Sequence, residues 1–288
     1  MSNEKICITT DCVCDLPDDI LKKNNVDMIY FYIETDTGRF KDVDEITAQN
    51  IFEYLENGGV KSTTEAPPAD EFISFFDEKL KTYNAIIHIA TSSRISKSVE
   101  CATQAVEKMG DKGKKVHIVD SRNITTGIGH MVLCAAEMLR SGATVEQIIT
   151  EMENLRDRIS TSFMADNADY LYRNKKVSRK VQQICSFFKI HPVLGVEDGY
   201  LKLKSFQIGN YERSAIRYIR AELKEYHKIN SERLFITHAG CKAIDIRLAR
   251  KEVNHIMKFD EIIVTKASAT VSSNSGPRTF GLLYIKEK

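Results

Sequence analysis

Four times along this chain a short apolar run stops in a cluster of hydroxyl side chains. Residues 6–8 lead into Thr9, Thr10 and Asp11, and residues 86–90 lead into Thr91, Ser92, Ser93 and Ser96. Residues 116–119 lead into Asp120, Ser121, Thr125, Thr126 and Gly127, and residues 262–265 into Ser268, Thr270, Ser272, Ser273, Ser275 and Gly276. Hydroxyls and free N–H groups at helix starts suit an anionic head group, because they donate hydrogen bonds and the helix dipole favours negative charge there. Any single cluster reads first as a set of helix N-caps. Recurrence after strand-like runs makes ligand binding the better reading of the set.

Other groups point less clearly to chemistry. Asp11, Asp15 and Asp120 could form acid–base pairs. Asp15, however, stands where a helix N-cap belongs, and Asp120 precedes a polar turn, so structure is the favoured role. Cys12 and Cys14 form a Cys-x-Cys pair, but no second Cys/His cluster of zinc-like spacing follows. Small polarizable residues in a tight loop explain the pair better than a metal or redox site. His88, His130 and His238 border strands and read as structural. Phosphate-cradling glycine loops and a Gly-x-Ser-x-Gly nucleophile elbow are missing from the sequence. An autonomous catalyst shows a nucleophile with a base, or a metal cluster; neither is visible, and the weight moves to binding. A hydrolase or transferase using the strand-end Asp and Ser groups is the competing class.

The elements that must position these residues follow from periodicity. Strands are expected at 5–9, 28–33, 85–90 and 115–119, and helices from Asp15 through Asn24 and at 46–57, 69–82, 96–109, 124–140 and 145–159. Short β-branched runs alternating with helices predict a parallel sheet covered on both faces. From about residue 160 the pattern changes. Strands at 161–165 and 189–194 and a hairpin turning at Asp198 and Gly199 precede helices at 211–228 and 243–257, with strands at 233–238, 261–265 and 279–285. The expected fold is therefore α/β in two domains: 1–160, an N-terminal parallel-sheet α/β unit, and 161–288, a C-terminal α+β unit with a mixed sheet. With 41 basic and 40 acidic residues in 288, the net charge of +1 calls for no nucleic-acid partner. The basic stretch 173–180 is a local exception and reads as a solvated face. No run approaches the roughly 18 apolar residues of a membrane span. An odd seven cysteines and the lack of an apolar leader fit a reducing cytoplasm.

The run Ile8-Thr9-Thr10-Asp11-Cys12-Val13-Cys14-Asp15-Leu16-Pro17 resembles the opening Thr-Asp-Ser-x-x-Asp-Leu-Pro motif of the DegV family, the fatty-acid-binding subunits of bacterial fatty acid kinase. Five further matches follow in family order. Thr63-Thr64-Glu65-Ala66-Pro67 is similar to a Thr-Ser-x-Pro turn, and Ser92-Ser93-Arg94-Ile95-Ser96 to a Ser-Ser-x-Leu-Ser loop. Val119-Asp120-Ser121 with Gly127 and Gly129 is similar to an Asp-Ser, Gly-x-Gly helix start. Ile190, Pro192, Val193 and Leu194 with Asp198 and Gly199 resemble a Lys-Pro-x-Leu hairpin, and Gly276 and Pro277 through Gly281 the closing loop.

The resemblance implies a long-chain fatty acid in an apolar tunnel between the two domains. Its carboxylate would be held by hydroxyls of Thr64 and of Ser92 or Ser93, with Ser96, Asn274 and Ser275 nearby, and no cofactor or metal. A separate ATP-binding catalytic subunit of the fatty acid kinase would phosphorylate that head to an acyl-phosphate, leaving this chain non-catalytic. An acyl chain of about 16 carbons supplies roughly 0.8 kcal/mol per buried methylene, less the costs of ordering and association. Three departures stand out. Asn274 occupies the family's His position, Arg278 a usual Gly, and Asn174-Lys175-Lys176-Val177-Ser178 a Gly-Gly-Arg-Ile-Ser stretch, so that Lys176 replaces a phosphate-forking Arg. A lipid carrier or sensor without a kinase partner is the alternative these changes favour.

Overall fold

The computed structural model describes residues 5–60, 62–173 and 178–287. Along its first half come β1 (Ile6–Asp11), α1 (Asp18–Lys23), β2 (Val26–Ile29), β3 (Tyr32–Thr35), β4 (Arg39–Lys41), α2 (Ala48–Glu56) and β5 (Ser62–Glu65). These are followed by α3 (Ala69–Leu80), β6 (Ala85–Ala90), α4 (Ser98–Lys108), β7 (Val116–Asp120), α5 (Thr126–Arg140) and α6 (Val145–Arg156). The second half carries β8 (Ile159–Met164), α7 (Asp169–Arg173), α8 (Arg179–Phe187), β9 (Ile190–Glu197), β10 (Tyr200–Ile208) and α9 (Tyr211–Glu222). It closes with β11 (Ile229–Ala239), α10 (Ala243–Ile256), β12 (Glu261–Lys266), α11 (Ala269–Ser275) and β13 (Thr279–Lys286).

Among the described residues the first sheet has the order β2-β1-β6-β7 and is parallel throughout. β1 and β6 are buried at every position, as central strands covered on both faces must be. The second sheet runs β10-β9-β8-β13-β11-β12 and is antiparallel except for the β11–β12 pair. The architecture is thus a two-domain α/β fold with a parallel-sheet N-terminal unit and a mixed-sheet C-terminal unit.

Helix α5 joins the two sheets. Every residue from Thr126 to Ala136 except Cys134 is buried, and its neighbours come from β1 and β6 on one side and from Phe235 and Leu283 of the mixed sheet on the other. Alternation along the strands sorts the mixed sheet's faces. Phe235 and Leu283 meet α5, while Leu234, Ile236, Phe280 and Leu282 pack with Tyr218 and Ile219 of α9 and Val253 of α10. Gly127 and Gly129 permit the close approach. A Cβ on Gly127 would lie 2.0 Å from Asn123 Oδ1 and 2.7 Å from Thr161 Oγ1, and one on Gly129 would lie 2.9 Å from Leu16 Cδ2.

Several local expectations need correction. The strand expected at 28–33 is two strands, because the chain turns at Tyr30 and Phe31 to begin the small antiparallel sheet β4-β3-β5. The helix expected at 211–228 ends at Glu222. Helices α7, α8 and α11 were not anticipated. Asp15 caps no following helix, since Pro17 stands at the N-cap of α1. Residues 174–177 of the basic stretch, Asn174 and Lys176 among them, lie outside the described residues.

Two predictions arise from α5. Gly127→Ala forces apart the Thr161 and Asn123 side chains, which are hydrogen-bonded at 2.6 Å; overpacking of this kind costs about 1–3 kcal/mol, readable as a lower urea midpoint at unchanged slope. His130 Nε2 stands 3.0 Å from the Leu283 carbonyl, which can only accept, so Nε2 carries the proton of a neutral ring. Burial lowers the His130 pKa from its ordinary 6.5 to about 4, against the opposing Leu283 bond. Below pH 6.5 the unfolded chain takes up a proton that the native ring refuses until about pH 4. Stability contributed here is therefore lost as pH falls through that window, at roughly 1 kcal/mol per pH unit. Urea titrations of wild type and His130→Phe between pH 4 and 7 should diverge in slope by that amount; parallel curves would exclude it.

Candidate functional site

The carboxyl ends of β1, β6 and β7 carry three of the hydroxyl clusters. At β1, Asp11 is fully buried and its Oδ2 accepts from Thr91 N at 2.7 Å and Thr91 Oγ1 at 2.6 Å, while Oδ1 accepts from Ser98 Oγ at 2.8 Å. His88 Nε2 stands 3.3 Å away. Burial pushes the Asp11 carboxyl up, but His88 and the Thr91 bonds outweigh it and hold the pKa below the usual value. Asp11 therefore stitches β1 to the loop after β6. At β7, Asp120 accepts from Ser93 N at 3.2 Å, Ser93 Oγ at 2.6 Å and Arg122 N at 2.9 Å. Ser92 is buried and donates its hydroxyl to the Gly199 carbonyl at 2.7 Å, across to the β9–β10 turn. Arg94 reinforces this junction by donating to the Asp198 carbonyl. Ser96 Oγ accepts from Ser98 N at 3.2 Å.

The fourth cluster is helix α11, whose N-terminus is held by carboxylates from the other end of the chain. Asp42 accepts from Ala269 N and Thr270 N, each at 2.8 Å, and Asp15 Oδ1 accepts from Ser268 N at 2.9 Å. Burial raises the Asp15 pKa well above its ordinary value despite that bond, and it raises Asp42 too. The thiols behave alike: burial lifts Cys14 to about 12 and Cys12 well above 9, and Cys12 Sγ accepts from Phe31 N at 3.2 Å. Protonated, buried thiols are poor nucleophiles and poor metal ligands. Farther along α11, Asn274 Nδ2 donates to the Thr270 carbonyl at 2.9 Å. Ser275 Oγ is buried and has no hydrogen-bond partner among the described residues. Thr64 lies on β5 opposite Ile33.

Two cavities flank α11. A small one of about 30 Å³ lies between the α5 start, the mixed sheet and α11. Its walls include Thr125, Phe163, Ala239, Ala267, Val271 and Ser275. Gly281 on its wall permits the close approach of β13 to β8, since a Cβ there would lie 2.5 Å from the Ser162 carbonyl oxygen. A chain of hydroxyls crosses the seam beside it, Thr126 to Thr237 at 2.6 Å and Thr237 to Thr265 at 2.9 Å. The second is a cleft of about 480 Å³ bordered by Asp15, Leu16, Met28, Asp42, Ile46 and Val264, with Ala267 again on its wall. The first volume suits a water or two, and the second falls in the range of ligand sites.

Of the six residues anticipated for the head group, Ser275 lines the small cavity and has its donor free. Ser92, Ser93 and Asn274 direct donors to Gly199, Asp120 and Thr270. Ala239, Ala267, Phe163 and Gly281 were not anticipated. Small residues at strand ends are the available signal, and it is a weak one. Arg278, at φ +59, forks onto Asp245 at 3.0 and 2.9 Å, reaches Glu212 at 2.9 Å and lies 3.8 Å over the Tyr211 ring. The departure from Gly is thus occupied by an ion pair that ties the closing loop to α9 and α10.

A parallel-sheet unit and a mixed-sheet unit meeting at a hydroxyl-rich seam define a recognisable class of protein. The profile of the DegV family, described as uncharacterised proteins, matches residues 5–287. A DegV domain-containing protein of Caldanaerobacter subterraneus is 30% identical over 284 residues, covering 98% of this chain and 99% of that one. One from Staphylococcus aureus is 26% identical over 286 residues, with 98% and 99% covered. The chain belongs to the DegV family. Among solved structures, a Thermus thermophilus DegV family protein described for its fatty acid binding superposes with a TM-score of 0.87 at 23% identity, covering 98% of this chain and 99% of that one. DegV of Bacillus subtilis, described as a fatty acid binding protein, gives 0.82 at 21% identity, with 99% and 100% covered. A Eubacterium eligens DegV family protein loaded with heptadecanoic acid gives 0.84 at 17% identity, with 98% and 100% covered. At these identities the agreement is one of fold.

Ser92→Ala leaves the Gly199 carbonyl without its donor and should cost about 1–3 kcal/mol of folding stability. Chemical denaturation measures it; an unchanged midpoint would mean that the hairpin turn does not depend on Ser92.

Proposed function

We propose that this protein binds a long-chain fatty acid at the seam between its two units, divided near residue 160 into 1–160 and 161–288. We propose further that it presents the carboxylate to a separate ATP-dependent kinase subunit for acyl-phosphate formation. The observation that carries the reading is Ser275, a buried hydroxyl with a free donor on a cavity walled by Phe163, Ala239, Val271 and Leu283. An unpaired buried hydroxyl is costly unless something occupies it, and a carboxylate oxygen accepts from it well. Thr64, Ser92, Ser93, Ser96 and Asn274 are the further head-group candidates, each through its hydroxyl or amide. Ser92, Ser93 and Asn274 reach a carboxylate by releasing the partners they hold. Relatives described as fatty acid binding proteins support the lipid; the kinase partner rests on motif resemblance. On this reading the chain is a non-catalytic cytoplasmic subunit. Among the described residues no helix is long and apolar enough to cross a membrane.

A second reading, a fatty-acid carrier without a kinase partner, is favoured by Asn274. Its amide cannot become cationic as the family's His can, and its N–H already serves Thr270.

Protein purified from a bacterial host should release a fatty acid in near-stoichiometric amount on denaturing extraction. Added oleate or palmitate should raise the melting temperature of delipidated protein by mass action. Extracts free of lipid, with no thermal shift across a chain-length series, would sink the binding reading. ATP-dependent acyl-phosphate formation with a bacterial fatty acid kinase catalytic subunit separates the two readings: turnover supports the first and its absence with bound lipid the second.

A further inference from the structure

We propose that His191 is a titratable latch: as a buried cation it pins the segment leading into α7 and the turn leading into α9, and loss of its proton releases the cover over the C-terminal end of α11. The residue lies on β9 and is 4% exposed. Both of its ring nitrogens face acceptors, with Nδ1 2.5 Å from the Asp166 carbonyl oxygen and Nε2 2.9 Å from that of Gly209. A carbonyl oxygen only accepts, so each nitrogen must carry a hydrogen, and only the imidazolium has both. The neutral ring satisfies one carbonyl and turns a lone pair on the other. The hairpin motif has Lys at this position, whose ammonium stays a donor throughout the physiological range, whereas histidine changes charge between pH 5 and 8.

Opposite charge offsets the burial of the cation. Asp166 Oδ1 stands 3.7 Å from Nδ1. Burial raises the Asp166 carboxyl pKa, with Asp245 and Asp169 adding to the rise and His191 and Arg278 opposing it. Arg278 is itself paired with Asp245 and Glu212. From α9 the Tyr211 ring crosses the imidazole at 79°, centroids 5.7 Å apart, and beyond it burial lifts the Cys241 thiol to about 12. The link to the ligand site, which rests on the fatty-acid reading above, runs through α7. That helix begins just after Asp166, at Asp169. Its Tyr170 meets Phe52 edge-on and lies so near Gly276 that a Cβ there would stand 2.7 Å from Tyr170 Cδ2. Gly276 follows Ser275, which lines the small cavity. Tyr170 thus covers the end of α11 that offers the free hydroxyl, and the Asp166 carbonyl held by His191 sets where α7 starts. His191 acts through that segment, so it is a positioning residue.

Ring-nitrogen NMR spectra of the full-length protein between about pH 5 and 9 read the proton directly, with His191→Lys identifying the His191 signals among the seven histidines. Both His191 nitrogens should be protonated at the acid end, and one should lose its proton as pH rises. Protection of the amides of residues 166–173, corrected for intrinsic exchange, should fall in the same step. A ring that is neutral across the range, or protection that does not follow its titration, overturns the inference and leaves the fatty-acid reading standing. Wild type and His191→Lys loaded with palmitate and mixed with excess delipidated albumin give the functional arm. Losing a charge-assisted bond should make wild-type release about tenfold faster at the alkaline end, while His191→Lys keeps the slow rate throughout. Parallel release profiles in the two proteins overturn the inference. Protein that takes up no palmitate overturns the fatty-acid reading, and the ring and exchange spectra then decide the latch alone.

Discussion

The structure depends on one helix being buried from two sides. α5 covers one face of the parallel sheet and one face of the mixed sheet at once, so the two units share a single core along that helix. That demands small residues where the backbones come nearest, which Gly127 and Gly129 provide, and the neutral His130 adds a buried hydrogen bond across the join by donating Nε2–H to the Leu283 carbonyl. Arg233 on β11 completes the join, contacting Glu137 of α5 at 2.8 Å and Glu261 of β12 at 3.1 Å. The consequence for function is that the seam beside α5 is rigid. Its hydroxyls are fixed relative to both sheets.

Helix α11 is the opposite case. Its sequence, Ala-Thr-Val-Ser-Ser-Asn-Ser, is poor in helix formers, and hydroxyl and amide side chains compete for backbone groups. The helix exists because Asp42 takes two of its first N–H groups, Asp15 takes Ser268 N and the Ser268 side chain takes Val271 N. Two acidic groups at one helix start favour the dipole while burial opposes their ionisation, which is why their carboxyl pKa values rise rather than fall. Arg278 secures the far side of the same segment.

These two elements also mark what the sequence discloses and what it hides. The four strand-end clusters lie at strand ends because β-branched runs bounded by turn residues have few other readings, and the strands preceding them pair in parallel. The small sheet was hidden because Val26–Thr35 is continuously strand-like, and only the tertiary bonds of Phe31, to Cys12 Sγ and from Asp42 N, break it in two. α11 was hidden because its helicity is imposed from 227 and 253 residues away. The head-group candidates divide similarly. Motif position singles out Ser92 and Ser93, but it cannot reveal that Gly199 and Asp120 accept their hydroxyl protons. Ala267 carries no chemical signal at all, yet it lines both cavities.

The reach of those carboxylates has a consequence for biosynthesis. Asp15 leaves the ribosome 253 residues before its partner Ser268. Bonds of that separation close late, after the loop entropy of the intervening polypeptide has been met. The parallel sheet can assemble on the nascent chain, yet α11 cannot be capped until its own residues have been made. Both cavities take wall residues from α11, Val271 and Ser275 on one and Ala269 on the other. A product interrupted before α11 lacks those walls.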